Sequence, residues 1–384
     1  MIHTPCGPVS ASSASAGLKV VGTQMQDSGG KPFIPYGISI VSGPETTNWA
    51  LSEKAVAAQI VASHRYWHAN SVRIQVSQSQ LFANPTRGHS YNVPFANSVN
   101  RLVCKVLRQG QIPIINDNSI FTGAQRGPTE LTRRFWRFMS RRYGNRLPVI
   151  FDLYNEPQVV RNPRTGRFLT PEEAWDVWQH GGSVGGKRYL GMQDLVDEIR
   201  VKQRVNNVIW VEQPYYVELK RTRLDLVSTH LLRGADIAYA FHKLLMDEAD
   251  PSFRAVQTLT EQGIPLVTSE WTQFAAIDRP WMCQAGSYQT TPGYLEYLRR
   301  FNIGLIAWSL QPGVLVRGVA GKDTVHDGND YRYTSDPRKL RAPTEMQPDY
   351  GCTTSARGQG AGALIKDYFA RYSRSASALV PKFG

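Results

Sequence analysis

The stretch LPVIFDLYNEP, residues 147–157, decides the fold, because a short apolar run ends there in a polar turn. Other runs rich in β-branched and aromatic residues follow the same plan, and a segment with helical periodicity comes after each of them. Eight such runs begin at Phe33, Ser71, Gln111, Leu147, Asn207, Asp236, Ile264 and Ile303. Nearly continuous apolar strands that alternate with helices are typical of a parallel sheet covered on both faces. The pattern therefore predicts a single α/β domain, a (β/α)8 TIM barrel.

Helical stripes support the intervening helices. Residues 95–109 place one apolar stripe on a helix, formed by Val99, Leu102, Val103, Val106 and Leu107. Residues 252–262 place a second, formed by Phe253, Val256 and Leu259. A last helix is predicted over Ala361–Tyr372.

Three segments fall outside the repeating pattern. Residues 18–37 read as a β-hairpin with DSGG as its turn, which we expect to close the bottom of the barrel. Long connections follow the fourth strand (158–187) and the eighth (311–359), and the first holds a short helix opened by Thr170. Both leave the carboxyl ends of strands, where barrels build active sites. We predict a flexible segment at 1–17, a catalytic domain over 18–373 and a tail at 374–384.

Charge limits the partners. The chain has 44 Lys and Arg against 31 Asp and Glu, a formal net charge of +13. The densest basic run, RRFWRFMSRR (133–142), reads as the exposed side of an amphipathic helix, and no nucleic-acid-binding motif accompanies it. We expect no nucleic-acid partner, and adsorption to acidic wall or matrix polymers is a better use of the charge. The sequence contains no run of 18 apolar residues, so it predicts no membrane-spanning helix. The first residues lack the pattern of a signal peptide.

Carboxylates end two of the predicted strands. The fourth ends in Asn155-Glu156-Pro157 and the seventh in Ser269-Glu270-Trp271. Cleavage of a glycosidic bond needs two such acids, because one protonates the leaving oxygen while the other faces the anomeric carbon. Glu156 and Glu270 are therefore the candidate catalytic pair.

The sequence resembles the retaining glycoside hydrolases of family 5, the cellulase family of clan A. Five matches in chain order carry the resemblance: residues 70–74 (NSVRI), residues 155–157, His242, Glu270 and Trp308. The resemblance implies that Glu156 is the acid/base and Glu270 the nucleophile. It further implies that Asn155 binds the sugar's 2-hydroxyl, that Arg73 and His242 are polar supports, and that Trp308 is a stacking platform.

Each of these residues also has a purely structural interpretation. Glu156 could cap the element that follows it, and Glu270 could be an acid of a surface loop. Arg73 could belong to a structural ion pair, because a buried Arg is costly unless it is paired. His242 could be a hydrogen-bonded core histidine, and Trp308 a core tryptophan.

The sequence departs from the family pattern at two strand ends. Leu244 stands where the family carries a Tyr that supports the nucleophile, and Tyr215 or Tyr216 could supply the missing hydroxyl. The third strand ends in residues 116–118 (NDN), where a His is common, so Asn118 becomes a candidate substrate contact.

Two further residues beside these strand ends are candidates. Glu212 is an unusual third acid, which could bind a sugar hydroxyl or amine, or simply pair with a nearby Arg or Lys. Trp271, next to Glu270, is a further candidate contact.

Four cysteines are too widely spaced for a local metal site, and either two disulfides or four buried thiols fit them. Placed on the barrel, Cys283 and Cys352 both lie at the catalytic face. Cys104 lies near the end of the second helix, at the opposite face, where the segment with Cys6 is expected. We therefore predict the pairs Cys6–Cys104 and Cys283–Cys352.

The resemblance implies a secreted, monomeric, retaining β-glycosidase that needs neither a cofactor nor a metal and acts on a carbohydrate. Endo-β-1,4-glucanase activity is the first expectation, followed by β-mannanase and exo-acting β-glycosidase. A reading from a different class, motivated by Leu244 and Asn118, is a catalytically silent carbohydrate-binding barrel.

Overall fold

A computed structural model describes residues 2–9, 17–40, 52–118, 126–215, 223–242, 251–273, 287–311, 314–317, 334–346, 360–381 and 383. Eight parallel strands in these ranges form a closed barrel. In chain order they are β1 (Tyr36–Ile40), β2 (Ser71–Val76), β3 (Ile112–Asp117), β4 (Ile150–Asp152), β5 (Ile209–Glu212), β6 (Ile237–His242), β7 (Leu266–Trp271) and β8 (Gly304–Trp308). Each strand coincides with one of the predicted runs, so the (β/α)8 prediction is confirmed.

Helices surround the barrel. They are α1 (Glu53–Arg65), α2 (Gln78–Phe82), α3 (Val93–Arg108), α4 (Glu130–Tyr143), α5 (Pro171–His180), α6 (Met192–Asp197), α7 (Pro251–Glu261), α8 (Ser287–Arg300) and α9 (Gly362–Tyr372). The predicted stripe of α3 is buried along its whole length. None of the helices in the described ranges is long and apolar enough to cross a membrane.

The floor of the barrel is closed by an antiparallel sheet with strands Lys19–Val21, Gln24–Gln26 and Pro32–Phe33. The predicted hairpin is present, and the DSGG turn joins its second and third strands. A further turn, at Gly22 with a φ of 56°, joins the first strand of this sheet to the second. Met25 and Phe33 pack into one buried cluster with residues of the barrel interior such as Ile112. The bottom of the barrel is thus an apolar plug.

Both ends of the described chain pack at this N-terminal face. Strands Ile2–Thr4 and Gly7–Val9 form a hairpin, and a disulfide joins Cys6 to Cys104 of α3. Val9 forms an isolated β-bridge with Phe383. Ala376 and Leu379 belong to the floor cluster. The domain limits stay a prediction, although these segments contact the barrel closely. The predicted pair Cys283–Cys352 lies outside the described residues.

The connection after β4 holds more structure than expected. Helix α5 begins as predicted, with Thr170 as N-cap in a capping box with Glu173 and Pro171 in the first turn. An antiparallel hairpin, Gly181–Val184 with Lys187–Leu190, follows it and was not predicted. Of the connection after β8, residues 309–311, 314–317 and 334–346 are described.

The densest basic run lies on α4, and its arginines contact other residues of the protein. Its apolar side buries Phe135, Trp136 and Met139, whereas Phe138 is half-buried. Every arginine of the run contacts another residue: Arg133 contacts Glu130 and Asp194, Arg134 the ring of Phe82, Arg137 Glu198, Arg141 Gln203, and Arg142 Asn97. These contacts explain the local density of positive charge without a polyanionic ligand.

Candidate active site

The segment that follows β4 is held by hydrogen bonds to both neighbouring strands. The amide of Leu153 donates to the carbonyl of Trp210 at 3.0 Å, and the amide of Asn155 donates to the carbonyl of Asp117 at 2.8 Å. The indole of Trp136 on α4 donates to the carbonyl of Leu153 at 2.8 Å. This network carries Asn155 and the next residue, Glu156, over the carboxyl end of the barrel.

Arg73 of β2 lies in the barrel interior, is fully buried and binds four side chains. Its guanidinium donates to Asp152 at 2.7 Å, Glu270 at 2.9 Å, Asn155 at 2.8 Å and Glu212 at 2.6 Å. Burial alone would lower the pKa of Arg73, but the surrounding carboxylates raise it above its ordinary value. Arg73 is therefore a permanent cation. The structural ion pair and the support of Glu270 are both present.

Asp152 is a site residue that the sequence analysis missed. It is fully buried at the end of β4, and burial raises its pKa to about 7 even though the Arg73 charge acts in the opposite direction. A signal was present in the sequence, because an Asp inside the apolar run VIFDLY needs a buried partner. Arg73, the other charge inside an apolar strand, is that partner.

Glu212, at the end of β5, pairs with Arg73, which is the simpler of its two predicted roles. One carboxylate oxygen accepts from Arg73, and the other accepts from the backbone amide of Glu156 at 2.7 Å. Its side chain is 2% exposed, which leaves no surface for a sugar hydroxyl or amine. Burial acts to raise the pKa of Glu212, but the charges of His242 and Arg73 outweigh it and the pKa lies below its ordinary value.

His242, the last residue of β6, lies between two acids. Its Nδ1 is 3.0 Å from Oε1 of Glu156, and its Nε2 is 3.2 Å from Oε1 of Glu212. Burial acts to lower the pKa of His242, but the carboxylates of Glu212 and Glu270 outweigh it, so the pKa lies well above its ordinary value. His242 is thus an imidazolium in contact with Glu156, not an isolated core histidine.

Glu156 and Glu270 are the acids of this cluster that reach solvent, with side chains 15% and 19% exposed. A carboxylate oxygen of each lies within 4.8 Å of the other. Burial raises the pKa of Glu270, and the cations His242 and Arg73 oppose that rise. Glu156 adopts a left-handed backbone with a φ of 46°, an uncommon conformation for a residue with a side chain. The two acids face each other at the mouth of the barrel.

The donor set also has the spacing of a metal site, since Glu156, His242 and Glu270 offer ligand atoms within 4.8 Å of one another. A metal would need a neutral imidazole, and the neighbouring carboxylates hold His242 protonated. Arg73 adds a second positive charge beside Glu270. The residues fit proton transfer better than they fit a cation.

The two candidate tryptophans are the last residues of the neighbouring strands β7 and β8. Trp308 ends β8, is 7% exposed, and precedes a cis peptide bond to Ser309. Trp271 is fully buried, and its ring lies 5.8 Å from that of Tyr294 on α8. The contact with α8 places Trp271 on the outer side of β7, away from the site, where the strand register is irregular between Thr268 and Trp271.

Tyr215 follows β5 and Asn118 follows β3, the two strands that flank β4. The ring of Tyr215 is 6.5 Å from His242, centroid to centroid. Burial raises the pKa of Tyr215, and the Glu156, Glu270 and Glu212 carboxylates raise it further. Asn118 is buried, and its backbone amide donates to the carbonyl of Val76. Their substrate roles stay predictions, and Leu244 and Tyr216 lie outside the described residues.

A closed parallel barrel with an acid pair at the carboxyl ends of β4 and β7 defines the class of protein as a (β/α)8 glycoside hydrolase. The chain belongs to the cellulase family, glycosyl hydrolase family 5, which it matches over residues 27–313.

Solved structures of cellulases and mannanases share the fold. The catalytic domain of endoglucanase Cel5A from Thermobifida fusca superposes with a TM-score of 0.61 at 15% identity, covering 93% of this chain and 98% of that one. A β-mannanase from Streptomyces thermolilacinus gives 0.59 at 14% identity, with 94% and 99% covered. A β-glucanase from Saccharophagus degradans gives 0.59 at 16%, with 93% and 94% covered. No curated protein sequence matches the chain.

Proposed function

We propose that this protein is a retaining β-glycosidase that cleaves poly- or oligosaccharides by double displacement, with β-1,4-glucan as the first candidate substrate. The observation that carries the proposal is the approach of Glu156 and Glu270 to within 4.8 Å. Retaining enzymes hold their two carboxyl groups about 5 to 5.5 Å apart, whereas inverting enzymes leave about 6.5 to 9.5 Å for a water molecule. The measured approach supports direct attack by one carboxylate.

In the first step Glu270 attacks the anomeric carbon and Glu156 gives its proton to the leaving oxygen. The bond from the anomeric carbon to the leaving oxygen breaks while an ester bond to Glu270 forms. Arg73, 2.9 Å from Glu270, favours the ionised nucleophile.

In the second step the roles reverse. Glu156, left ionised by its proton transfer in the first step, takes a proton from water. The water oxygen bonds to the anomeric carbon and the carboxylate of Glu270 is released. Two inversions leave the product with the configuration of the substrate.

The choice of substrate draws on the structural neighbours. These neighbours include an endoglucanase and a β-glucanase, which support a glucan, and a β-mannanase, which supports a mannan as the second candidate. The third candidate, exo action, depends on whether residues 311–359 block one end of the cleft. Secretion is supported by the Cys6–Cys104 disulfide, because such bonds persist in oxidising compartments. We propose a monomer.

The test begins with aryl β-glycosides, β-glucan and β-mannan, with product sizes recorded. Glu270→Gln should lower kcat by about 1,000-fold or more while sugar binding persists, because the nucleophile is lost and the shape is kept. Glu198→Gln, a buried acid outside the site paired with Arg137, is the control. Proton NMR of the first product from a β-linked substrate should show the β-anomer, and an initial α-anomer would exclude retention. Wild-type protein that binds sugars and cleaves none would favour the silent barrel.

A further inference from the structure

Glu212 contacts more parts of the site than any role in the two-acid mechanism requires. It hydrogen-bonds to Arg73 of β2 and to the amide of Glu156 after β4, and it lies 3.2 Å from His242 of β6. The hydroxyl of Ser269 on β7 donates to it at 3.4 Å. Because its side chain is 2% exposed, Glu212 acts on a substrate only through these neighbours.

The first neighbour is the backbone of Glu156. The left-handed backbone conformation of Glu156 is unfavourable for a residue with a side chain. A charged acceptor 2.7 Å from its amide is a strong hydrogen-bond partner, and such bonds hold strained backbone in place. The carbonyl of Glu212 accepts from the indole of Trp178 on α5 at 2.6 Å, which fixes the anchor itself. The direction of the Glu156 side chain thus depends on the reach of Glu212, that is, on how far its side chain extends toward the Glu156 amide.

The second neighbour is the imidazolium of His242, whose other nitrogen contacts the Glu156 carboxylate. The charged groups that face Glu212 are Arg73, Asp152, Glu156, His242 and Glu270, and the hydroxyl of Tyr215 interacts with it electrostatically. Glu212 has the largest charge–charge effect on His242, so its charge stabilises the proton of that imidazole. That proton bonds to the carboxylate proposed as the acid/base.

We propose that Glu212 is a positioning residue that sets both the direction of the Glu156 carboxyl, through its backbone amide, and the protonation of His242 beside it. This inference rests on the proposed function of Glu156. It distinguishes two properties of Glu212, the reach of its side chain and its negative charge, and two substitutions separate them.

Glu212→Gln keeps an acceptor for the Glu156 amide and removes the charge. Both limbs of the pH profile of kcat/KM should move to lower pH by about one unit or more. The acid limb moves because Glu270 loses a like charge, and the basic limb moves because His242 loses its proton at lower pH. Glu212→Asp keeps the charge and shortens the reach. Its kcat should fall by about 100-fold at unchanged KM, with the pH profile in place.

The control is Glu198→Gln, which removes an Arg-paired buried acid elsewhere and should leave the pH profile unchanged. NMR titration of the His242 imidazole, assigned with His242→Asn, gives a readout that needs no turnover. A pKa well above the ordinary value in wild type that falls in Glu212→Gln supports the inference even if no glycoside is cleaved, in which case only the proposed function fails. Active wild type with unchanged kcat and pH profile in both variants overturns the inference alone. A wild-type His242 pKa near its ordinary value also overturns it. If Glu212→Gln does not fold, the kcat of Glu212→Asp decides.

Discussion

At the scale of single residues, the balance of charges around Arg73 explains why two acids of the site have raised pKa values. The described cluster contains four acids and two cations: Asp152, Glu156, Glu212, Glu270, Arg73 and His242. Full ionisation of the acids would leave a net negative charge in a largely buried space, which is costly. The raised pKa of Asp152 and that of Glu270 both express this cost. A site that must keep one acid protonated benefits from such an excess of carboxylates.

The first prediction concerns Asp152 and the pH dependence of stability. Its folded pKa, about 7, exceeds the unfolded value, so its proton stabilises the fold fully below about pH 4, and this contribution is lost as pH rises through 7. Asp152→Asn removes that titration. Between pH 4 and 7 the free energy of unfolding of wild type should therefore fall, relative to the variant, by up to about 1.4 kcal/mol per pH unit. Urea unfolding across this range measures both slopes, and parallel slopes would contradict the prediction.

Sequence reasoning reached the residues that end strands and missed one inside a strand. Glu156, Glu270 and His242 could be found because a polar residue that ends an apolar run marks the carboxyl face of a barrel. Asp152 lies among apolar residues of its run, so it lacks the position at the end of the run that marks the other acids. Strand alternation alone did not give the orientation of Trp271, because the register of β7 is irregular between Thr268 and Trp271 and both Ser269 and Glu270 reach the interior cluster. Whether Glu212 binds sugar or pairs with Arg73 depends on burial, which sequence does not give.

At the scale of elements, the periodic segments were the predictable ones. Apolar runs predicted β1–β8 and stripes predicted α3 and α7, because burial on a sheet or a helix face leaves a period in the sequence. The hairpin at 181–190 has no such period. Its strands, GGSV and KRYL, contain a single β-branched residue, and positive φ angles at four glycines shape it: Gly181, Gly182, Gly185 and Gly186. Val184 and Tyr189 of the hairpin pack with Val159 earlier in the same connection, a contact that local sequence does not show.

The disulfide gives a prediction at the same scale. Cys6 and Cys104 join the N-terminal hairpin to α3 across 98 residues, at the face opposite the acid pair. Replacing both with Ala releases this constraint on the unfolded chain, so the free energy of unfolding should fall by about 2–4 kcal/mol. Activity toward an aryl glycoside should not change at temperatures where the variant is folded. Urea unfolding and kcat measure the two effects, and a loss of kcat without a loss of stability would contradict this assignment.

For the molecule as a whole, the two faces of the barrel do different work. The carboxyl face gathers buried charges around two partly exposed acids, whereas the opposite face is an apolar plug sealed by segments from both ends of the described chain. The arginines of the densest basic run contact acidic, polar and aromatic side chains of the protein itself. Contacts in the barrel interior therefore position the acids. Surface charge influences solubility and the rate of encounter with other molecules.

The plug leads to a prediction about the predicted tail at 374–384. Leu379 and Ala376 are buried in the floor cluster, and the carbonyl of Arg374 accepts from Asn70 at 3.2 Å. A chain ending at residue 373 loses these contacts, so its free energy of unfolding should fall by about 2–4 kcal/mol, with Leu379 contributing the largest share. Leu379→Ala in the full chain should reproduce part of this loss, and kcat should persist in both while folded, because the acids lie at the other end of the barrel. Urea unfolding of the truncated chain is the measurement. Unchanged stability would show that the segment is a dispensable tail and that the barrel floor closes without it.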